Sequence, residues 1–302
     1  MLLILYQFIS AEPDISDWPR GPGFQDKTNG ANMSFSIVIL TFNEEKNLKY
    51  CLESIQWCDD IVILDSYSTD DTLKIAQENN LRIYQRKFDN FASQRNFAHD
   101  EIKFKHDWVF HLDADEVFTE ELKKEIDKKI QESNYDAYLV PSKIMLMGRW
   151  LRYSGMYPTY QVRLGKFEKL RFKQVGHGQK EDIPADRVGV LNSPYIHYNF
   201  SNGLYAWFER HNKYSSEEAI SASQYRNTKH LELNGLFSLN PYQRRNAIKQ
   251  ISYSFPFRPF FRFIYMYIFR LGFLDGRQGL HYCSLMALYE FMTAIKIEEL
   301  KP

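Results

Sequence analysis

Features that define several common enzyme classes are missing from this sequence. No Gly-x-Gly-x-x-Gly follows the first predicted strand and no Gly-Lys-Ser/Thr loop is present, which disfavours a dinucleotide dehydrogenase and a P-loop NTPase. Cysteine is scarce, and Cys51, Cys58 and Cys283 form no Cys-x-x-Cys pair, so neither a disulfide framework nor a zinc cluster is indicated. The formal net charge is zero, which argues against general nucleic-acid binding.

Long apolar runs are also missing. No charge-free stretch approaches the roughly 18–20 residues that a membrane-spanning helix requires. The apolar residues 1–9 are too short for that purpose and lack the basic leader and cleavage site of a secretory signal. Because prolines and glycines follow, we expect residues 1–32 to be an irregular, dispensable extension, with Met33 as an alternative start. The cytoplasm is the expected compartment.

The 302 residues contain 44% hydrophobic residues, enough for an α/β domain with additions. Apolar runs predict buried strands at 35–40, 61–64, 81–84 and 108–113, with helical segments between them. Such alternation predicts a mainly parallel sheet with helices on both faces, in which ligands bind beyond the carboxyl ends of the strands.

Polar clusters occur at three of these predicted strand ends, at 41–45, 65–71 and 113–116. Helix capping explains any one of them, but the convergence of all three on one edge indicates a ligand site. Asp113 and Asp115 are two residues apart, so their carboxylates project on the same side and suit Mg²⁺ or Mn²⁺ with a substrate phosphate. The alternative is an acidic turn that precedes a helix.

Four segments together resemble a known family: residues 37–45 (IVILTFNEE), 65–70 (DSYSTD), 94–96 (QRN) and 112–116 (LDADE). They are similar to family 2 glycosyltransferases with the Rossmann-like GT-A fold, and in particular to the branch that builds lipopolysaccharide core and other surface glycans. The resemblance extends from about Ser34 almost to the C-terminus. One departure is Tyr67, where that branch usually has glycine.

The resemblance implies a role for each cluster. The nucleotide site would be lined by Thr41, Asn43 and Glu44. Asp65 would accept hydrogen bonds from the base, uracil, and Arg95 would lie near the diphosphate. The ribose and the metal would be contacted by Asp113, and the metal would be coordinated by Asp115. Glu116 would either start a helix or support the metal ligands.

The predicted catalytic base lies in a second stretch, residues 175–182 (VGHGQKED). Inverting transfer needs a base that deprotonates the acceptor hydroxyl. The related branch usually has a His-Glu pair here, so we predict Glu181 as the base and Asp182 as the second candidate, since an insertion separates both from His177. His197 would line the site or be a buried structural histidine.

The remaining sequence predicts contacts with the acceptor and with lipid. Residues 143–160 are basic and aromatic, and would stack on a sugar, contact phosphates or pack as an ordinary surface loop. Residues 241–277 contain seven basic residues, one acid and many aromatics, which is typical of a segment lying on anionic lipid. The alternative is a helix whose aromatic face packs on the catalytic domain.

These observations predict an irregular extension (1–32), a GT-A catalytic domain (33–200) and a helical, aromatic-rich C-terminal region (201–302). The expected activity is Mg²⁺- or Mn²⁺-dependent inverting transfer of a sugar from a UDP-linked donor. The expected acceptor is a lipid-linked or lipopolysaccharide-type glycan at the inner face of the cytoplasmic membrane. The alternatives are a nucleotidyltransferase, which would release pyrophosphate, and a non-catalytic nucleotide-sugar-binding protein.

Overall fold

The computed structural model describes residues 35–132, 134–175, 178–228 and 257–300, with backbone only for 224–228. The predicted extension 1–32, His177 and the first part of the basic-aromatic segment lie outside the described residues. The chain divides into two compact units, one containing residues up to Arg152 and Tyr157–Gly203, the other containing Tyr153–Met156 and the chain from Leu204 onward. The assignment of 33–200 to the catalytic domain stays a prediction.

The first unit is built on one large sheet. Its strands are β1 (Ser36–Thr41), β2 (Ile61–Asp65), β3 (Arg82–Gln85), β4 (Trp108–Asp113), β5 (Glu116–Val117), β6 (Ala137–Leu146), β7 (Arg149–Trp150), β8 (Thr159–Lys166), β11 (Val188–Val190) and β12 (Tyr195–His197). Their order is β3-β2-β1-β4-β8-β6-β12-β5, with β7 and β11 also pairing with β6. Strands β9 (Phe172–Val175) and β10 (Gly178–Glu181) form a separate antiparallel pair.

Helices cover both faces of the sheet, which explains why the first strands are apolar on both sides. The helices of this unit are α1 (Glu45–Glu53), α2 (Thr72–Glu78), α3 (Phe91–Glu101) and α4 (Glu120–Gln131). Residues of α1, α2 and α4 pack in one core cluster with Ile37, Ile39 and Phe110. Residues of α3 pack on the opposite face with Val38 and Val109. Each parallel strand therefore buries alternate side chains in two different cores.

The parallel register places three strand ends at one edge. Thr41 of β1 pairs with Asp65 of β2, and Leu40 pairs with Asp113 of β4. We call this the carboxyl edge: the edge at which β1, β2 and β4 end, at Thr41, Asp65 and Asp113. The predicted α/β architecture, a mainly parallel sheet with helices on both faces and a helical C-terminal region, is confirmed.

The second unit is helical. It contains α5 (Gly203–Thr228), α6 (Arg258–Ile264), a π-helical turn (Tyr265–Phe269), a 3₁₀ turn (Gly272–Asp275) and α7 (Gly276–Glu299). Buried Asp275 accepts hydrogen bonds from the backbone N–H groups of Tyr153 and Ser154 and from Ser154 Oγ, at 2.7–3.0 Å. No helix within the described part of the chain has the length and hydropathy needed to cross a membrane.

Candidate active site

The loops that follow β1 and β2 are joined by hydrogen bonds. Thr41 Oγ1 donates to Asp65 Oδ1 at 2.9 Å. The backbone N–H of Asn43 donates to Ser68 Oγ at 2.9 Å, and Asn43 Oδ1 accepts from the backbone N–H of Thr69 at 2.8 Å. Asn43 has a φ of 55°, a conformation that asparagine adopts more readily than most residues. The structure therefore brings the predicted nucleotide residues Thr41, Asn43 and Asp65 into one bonded cluster.

Glu44 lies beside this cluster, at the start of α1. Its backbone N–H donates to Thr72 Oγ1 at 2.8 Å, and its carboxylate accepts from Asn47 Nδ2 at 2.6 Å. The side chain is thus held against its own helix. Its contact with a nucleotide stays a prediction.

Asp65 is fully buried, and the protein itself supplies its hydrogen-bond donors. Besides Thr41 Oγ1, its carboxylate accepts from the backbone N–H and hydroxyl of Ser68 and from Gln85 Nε2. In this arrangement Asp65 links β1, β3 and the loop after β2. Acceptance of a hydrogen bond from uracil by Asp65 stays a prediction.

Two aromatic side chains project from the same pair of loops. Phe42 is 59% exposed and Tyr67 is 54% exposed, although the strands that precede them, β1 and β2, are mostly buried. Tyr67 has a φ of 64°. Glycine adopts this left-handed conformation without steric conflict, whereas a side chain with a Cβ is strained by it. This backbone conformation favours glycine, the residue that the family resemblance leads one to expect here, and Tyr67 is an exception to that preference.

Asp113, at the end of β4, is held by two buried arginines. Arg95 Nη2 of α3 lies 2.9 Å from Oδ1, and Arg163 Nη2 of β8 lies 2.9 Å from Oδ2. Burial raises the pKa of Asp113, but the charges of Arg163 and Arg95 outweigh it and hold this pKa well below its ordinary range. Asp113 is therefore ionised at neutral pH, with each oxygen paired to a different guanidinium.

Arg95 has unused donors. Its side chain is only 3% exposed, and its Nε and Nη1 have no hydrogen-bond acceptor within the described ranges. Its guanidinium also lies 5.8 Å from the centroid of the Phe172 ring. Arg95 thus lies against Asp113 with two of its donor atoms unpaired among the described residues, and its contact with the diphosphate stays a prediction.

Arg163 of β8 was not predicted as a site residue. Besides Asp113, its Nη2 contacts Glu116 Oε1 at 2.5 Å, and its Nε donates to the Tyr195 hydroxyl at 3.3 Å. Its side chain is 3% exposed. The arginine itself was a signal in the sequence, because a charged residue within a buried strand needs an acid as its partner. That partner could not be identified, because the acids lie about fifty residues earlier in the chain.

Glu116 lies in the short strand β5 and is fully buried, so the alternative that it starts a helix is wrong. Its Oε1 contacts Arg163, and its Oε2 accepts from the backbone N–H of Asp113 at 2.9 Å. Burial raises the pKa of Glu116 to about 7; the nearby charge of Arg163 opposes this shift and the charge of Asp113 adds to it. Glu116 thus fixes both the side chain and the backbone around Asp113.

Asp115 points to a different partner. His197 Nε2 of β12 lies 3.4 Å from Asp115 Oδ2, and β12 pairs directly with β5. Burial lowers the pKa of His197, but Asp115 and Glu116 raise it to about 9. A carboxylate oxygen and an imidazole nitrogen are ligands for Mn²⁺ and related divalent ions. Within the described residues no group of three or more such side chains is arranged as a metal site, so a diphosphate and water would have to complete the coordination.

The two candidate bases lie on the β9–β10 hairpin. Glu181 ends β10 and pairs with Phe172, and Asp182 forms an ion pair with Lys173 at 2.8 Å. Phe172 exchanges two hydrogen bonds with Asn96 of α3, one residue after Arg95. The hairpin is thus anchored next to the arginine that holds Asp113. The role of Glu181 or Asp182 as base stays a prediction.

Comparisons with known proteins agree on one family. Residues 36–179 match the family model described as Glycosyl transferase family 2. A glycosyltransferase of Rickettsia prowazekii is 32% identical over 197 residues, covering 61% of this chain and 66% of that protein. The lipopolysaccharide core biosynthesis glycosyltransferase LpsC of Rhizobium meliloti is 25% identical over 272 residues, covering 88% of this chain and 92% of that protein.

Among solved structures, that of Staphylococcus aureus TarS 1–349 in complex with UDP-GlcNAc aligns with a TM-score of 0.41 at 16% identity, covering 88% of this chain and 91% of that chain. The chain spans about two thirds of the length of the Rickettsia relatives. The family resemblance of the sequence motifs is confirmed: residues 36–179 of this chain form a glycosyltransferase family 2 domain.

Proposed function

We propose that this chain is a metal-dependent, inverting glycosyltransferase that uses a UDP-linked sugar donor. The observation that carries this proposal is the carboxyl edge. There, Thr41 and Asp65 form one polar cluster, and Asp113 is held ionised beside it by two arginines. Because ligands of parallel α/β sheets bind beyond the strand ends, a nucleoside diphosphate would lie across β1, β2 and β4.

The metal would be held by Asp115 and His197 rather than mainly by Asp113. Both oxygens of Asp113 are already paired with arginines, whereas Asp115 Oδ2 faces a histidine nitrogen that would lose its proton on metal binding. When bound, the divalent ion would offset the negative charge that builds on the departing diphosphate. Asp113 would then accept hydrogen bonds from the ribose hydroxyls.

In the proposed reaction a carboxylate of the β9–β10 hairpin, Glu181 first and Asp182 second, takes the proton of the acceptor hydroxyl. The hydroxyl oxygen attacks the anomeric carbon as the bond from that carbon to the diphosphate breaks, so the configuration inverts. Arg95 would direct its two unused donors at the leaving diphosphate.

The acceptor is proposed to be a lipid-linked or lipopolysaccharide-type glycan. The Rhizobium relative, a lipopolysaccharide core biosynthesis glycosyltransferase that aligns over most of both chains, supports this assignment. The second unit supports it separately, because large apolar side chains are exposed between residues 257 and 269: Phe257, Phe260, Phe261, Tyr265, Ile268 and Phe269. With exposed Arg270 and Arg277 nearby, this surface suits the interface of an anionic bilayer at the inner face of the cytoplasmic membrane.

The experiment for the enzymatic proposal is a panel of nucleotide sugars scored for nucleoside diphosphate release, with and without Mn²⁺ or Mg²⁺. We expect release from a UDP-sugar that requires the metal and is abolished in Asp115→Ala. Asp127→Ala, an exchange on the surface of α4, is the matched control and should retain turnover. Release of pyrophosphate instead would identify a nucleotidyltransferase, and binding without turnover would identify a non-catalytic protein.

Two further measurements test the parts of the proposal. Glu181→Gln should lose transfer while retaining UDP affinity, and NMR of the product should show inverted configuration; a retained configuration would refute the single displacement. For the membrane, co-sedimentation with vesicles containing phosphatidylglycerol should exceed that with neutral vesicles and fall in Phe269→Ser. Equal sedimentation of the wild type and the Phe269→Ser variant would refute the lipid contact.

A further inference from the structure

The β6–β7 hairpin carries a cluster of cations around one indole. Lys143 Nζ lies 4.9 Å and Arg152 Cζ lies 5.7 Å from the centroid of the Trp150 ring. Tyr157 packs edge-on against the same indole, with ring centroids 5.1 Å apart. Because this ring is already contacted by two cations and a phenol, little of it remains for stacking on a sugar.

Trp150 also holds a donor without an acceptor. Its Nε1 is buried and has no hydrogen-bond partner among the residues that the structure describes. A buried indole N–H of this kind is destabilising unless an acceptor reaches it. In addition, no aspartate or glutamate occurs between residues 137 and 167, so this part of the sequence is uniformly basic. An indole N–H beside two cations is a set of donors that suits an anionic oxygen ligand.

The position of the cluster separates it from the donor diphosphate. β4 and β6 both run antiparallel to β8, so β6 ends at the carboxyl edge. Phe110 and Tyr138 both pair with Leu164, so Lys143 lies two residues further along its strand than Asp113, a distance of about 7 Å. Because β8 intervenes between β4 and β6, the sideways separation is roughly 10 Å.

We propose that Lys143, Trp150 and Arg152 form an anion subsite that binds a phosphate group of the acceptor. The inference rests on the proposed function, because the acceptor must approach the anomeric carbon from the side away from the donor diphosphate. A phosphate bound at the hairpin, displaced from Asp113 along the edge, would hold the acceptor on that side. The substrate class is therefore a phosphorylated glycan.

The test uses the full chain, its indole ¹⁵N–¹H NMR spectrum and simple probes. Trp150→Phe identifies the Trp150 resonance. Inorganic phosphate and glucose 6-phosphate should shift this resonance, while glucose at the same concentration should not. The apparent Kd for glucose 6-phosphate should rise about tenfold in Lys143→Gln and in Arg152→Gln, because each removes one charge-assisted contact. Lys143→Arg should restore most of the affinity.

Arg149→Gln is the matched control. It removes an exposed charge from the same hairpin, at a position that pairs with Leu146 and is not one of the three proposed subsite residues. It should leave the Kd within twofold. The proposal is overturned if glucose shifts the resonance as much as its phosphate does, or if both glutamine variants retain wild-type affinity. It is also overturned if saturating UDP abolishes the phosphate response, since the anion site would then belong to the donor.

UDP binding and diphosphate release are measured on the same samples. If a donor is turned over normally but phosphate does not shift the Trp150 resonance, the anion subsite is refuted and the proposed function is not. Absence of diphosphate release from every donor refutes the proposed function, while the phosphate titration remains interpretable by itself.

Discussion

Replacement of Arg163 by methionine is the most direct test of how the active site is held together. Methionine fills a similar volume but removes the guanidinium that contacts both Asp113 and Glu116. The side chains of Arg163 and Glu116 are 3% and 0% exposed, so solvent does not screen this contact. The variant would leave the buried Glu116 carboxyl group without its cation and the Asp113 carboxylate with Arg95 alone.

The expected loss is large. Removing one partner of a buried ion pair costs about 3–5 kcal/mol in the free energy of unfolding. The loss should also depend on pH. The folded pKa of Glu116 is already raised to about 7, and without Arg163 it rises further, so the folded variant keeps a proton that the wild type releases above pH 7. Stability of the variant therefore falls relative to the wild type as pH rises, by about 1 kcal/mol between pH 6 and pH 8.

Urea unfolding of the wild type and variants at pH 6 and pH 8 measures both effects. Adding Glu116→Gln to Arg163→Met should recover part of the lost stability, and more at pH 8 than at pH 6, because the fold no longer has to keep a buried carboxyl group protonated. Lys124→Met, which breaks an exposed pair with Glu120, serves as control and should leave the midpoint unchanged. A loss below about 1 kcal/mol for Arg163→Met, or a double variant no more stable than the single one, would refute the reasoning.

Three further outcomes are expected. Tyr67→Gly removes a side chain from a left-handed position and should raise the free energy of unfolding by about 0.5–1 kcal/mol in urea titrations; destabilisation would mean that the ring itself stabilises the fold. Burial lowers the pKa of His99 to about 4 in the folded protein. Below pH 6.5 the unfolded chain binds a proton at His99 that the folded protein does not, so the free energy of unfolding decreases. The stability difference between His99→Gln and the wild type should therefore shrink by about 2 kcal/mol between pH 7.5 and pH 5, and a constant difference would contradict this. Gly279→Ala would place a Cβ against the Gly272 carbonyl oxygen and should lower the melting temperature of the second unit, whereas Ser284→Ala on the exposed side of α7 should not.

The sequence predicted the strand ends that form the carboxyl edge. Each strand end at the carboxyl edge was recognisable because an apolar run stops at a polar cluster, and parallel register then brings Thr41, Asp65 and Asp113 together. The motif at 112–116 was also recognisable as acidic, but Glu116 could not be assigned. A carboxylate next to a helix looks the same in sequence whether it is exposed or buried.

What the sequence alone determined is the order of β1 to β4 and of the helices between them, the family and the polar edge, because these depend on periodicity and on residues close in the chain. What only the tertiary structure decided is the partner of each carboxylate at 113–116. Asp113 meets Arg95 and Arg163, Glu116 shares Arg163, and Asp115 turns to His197. These pairings join residues 18 to about 80 positions apart, and charge attraction between such residues is set by packing that no local pattern encodes.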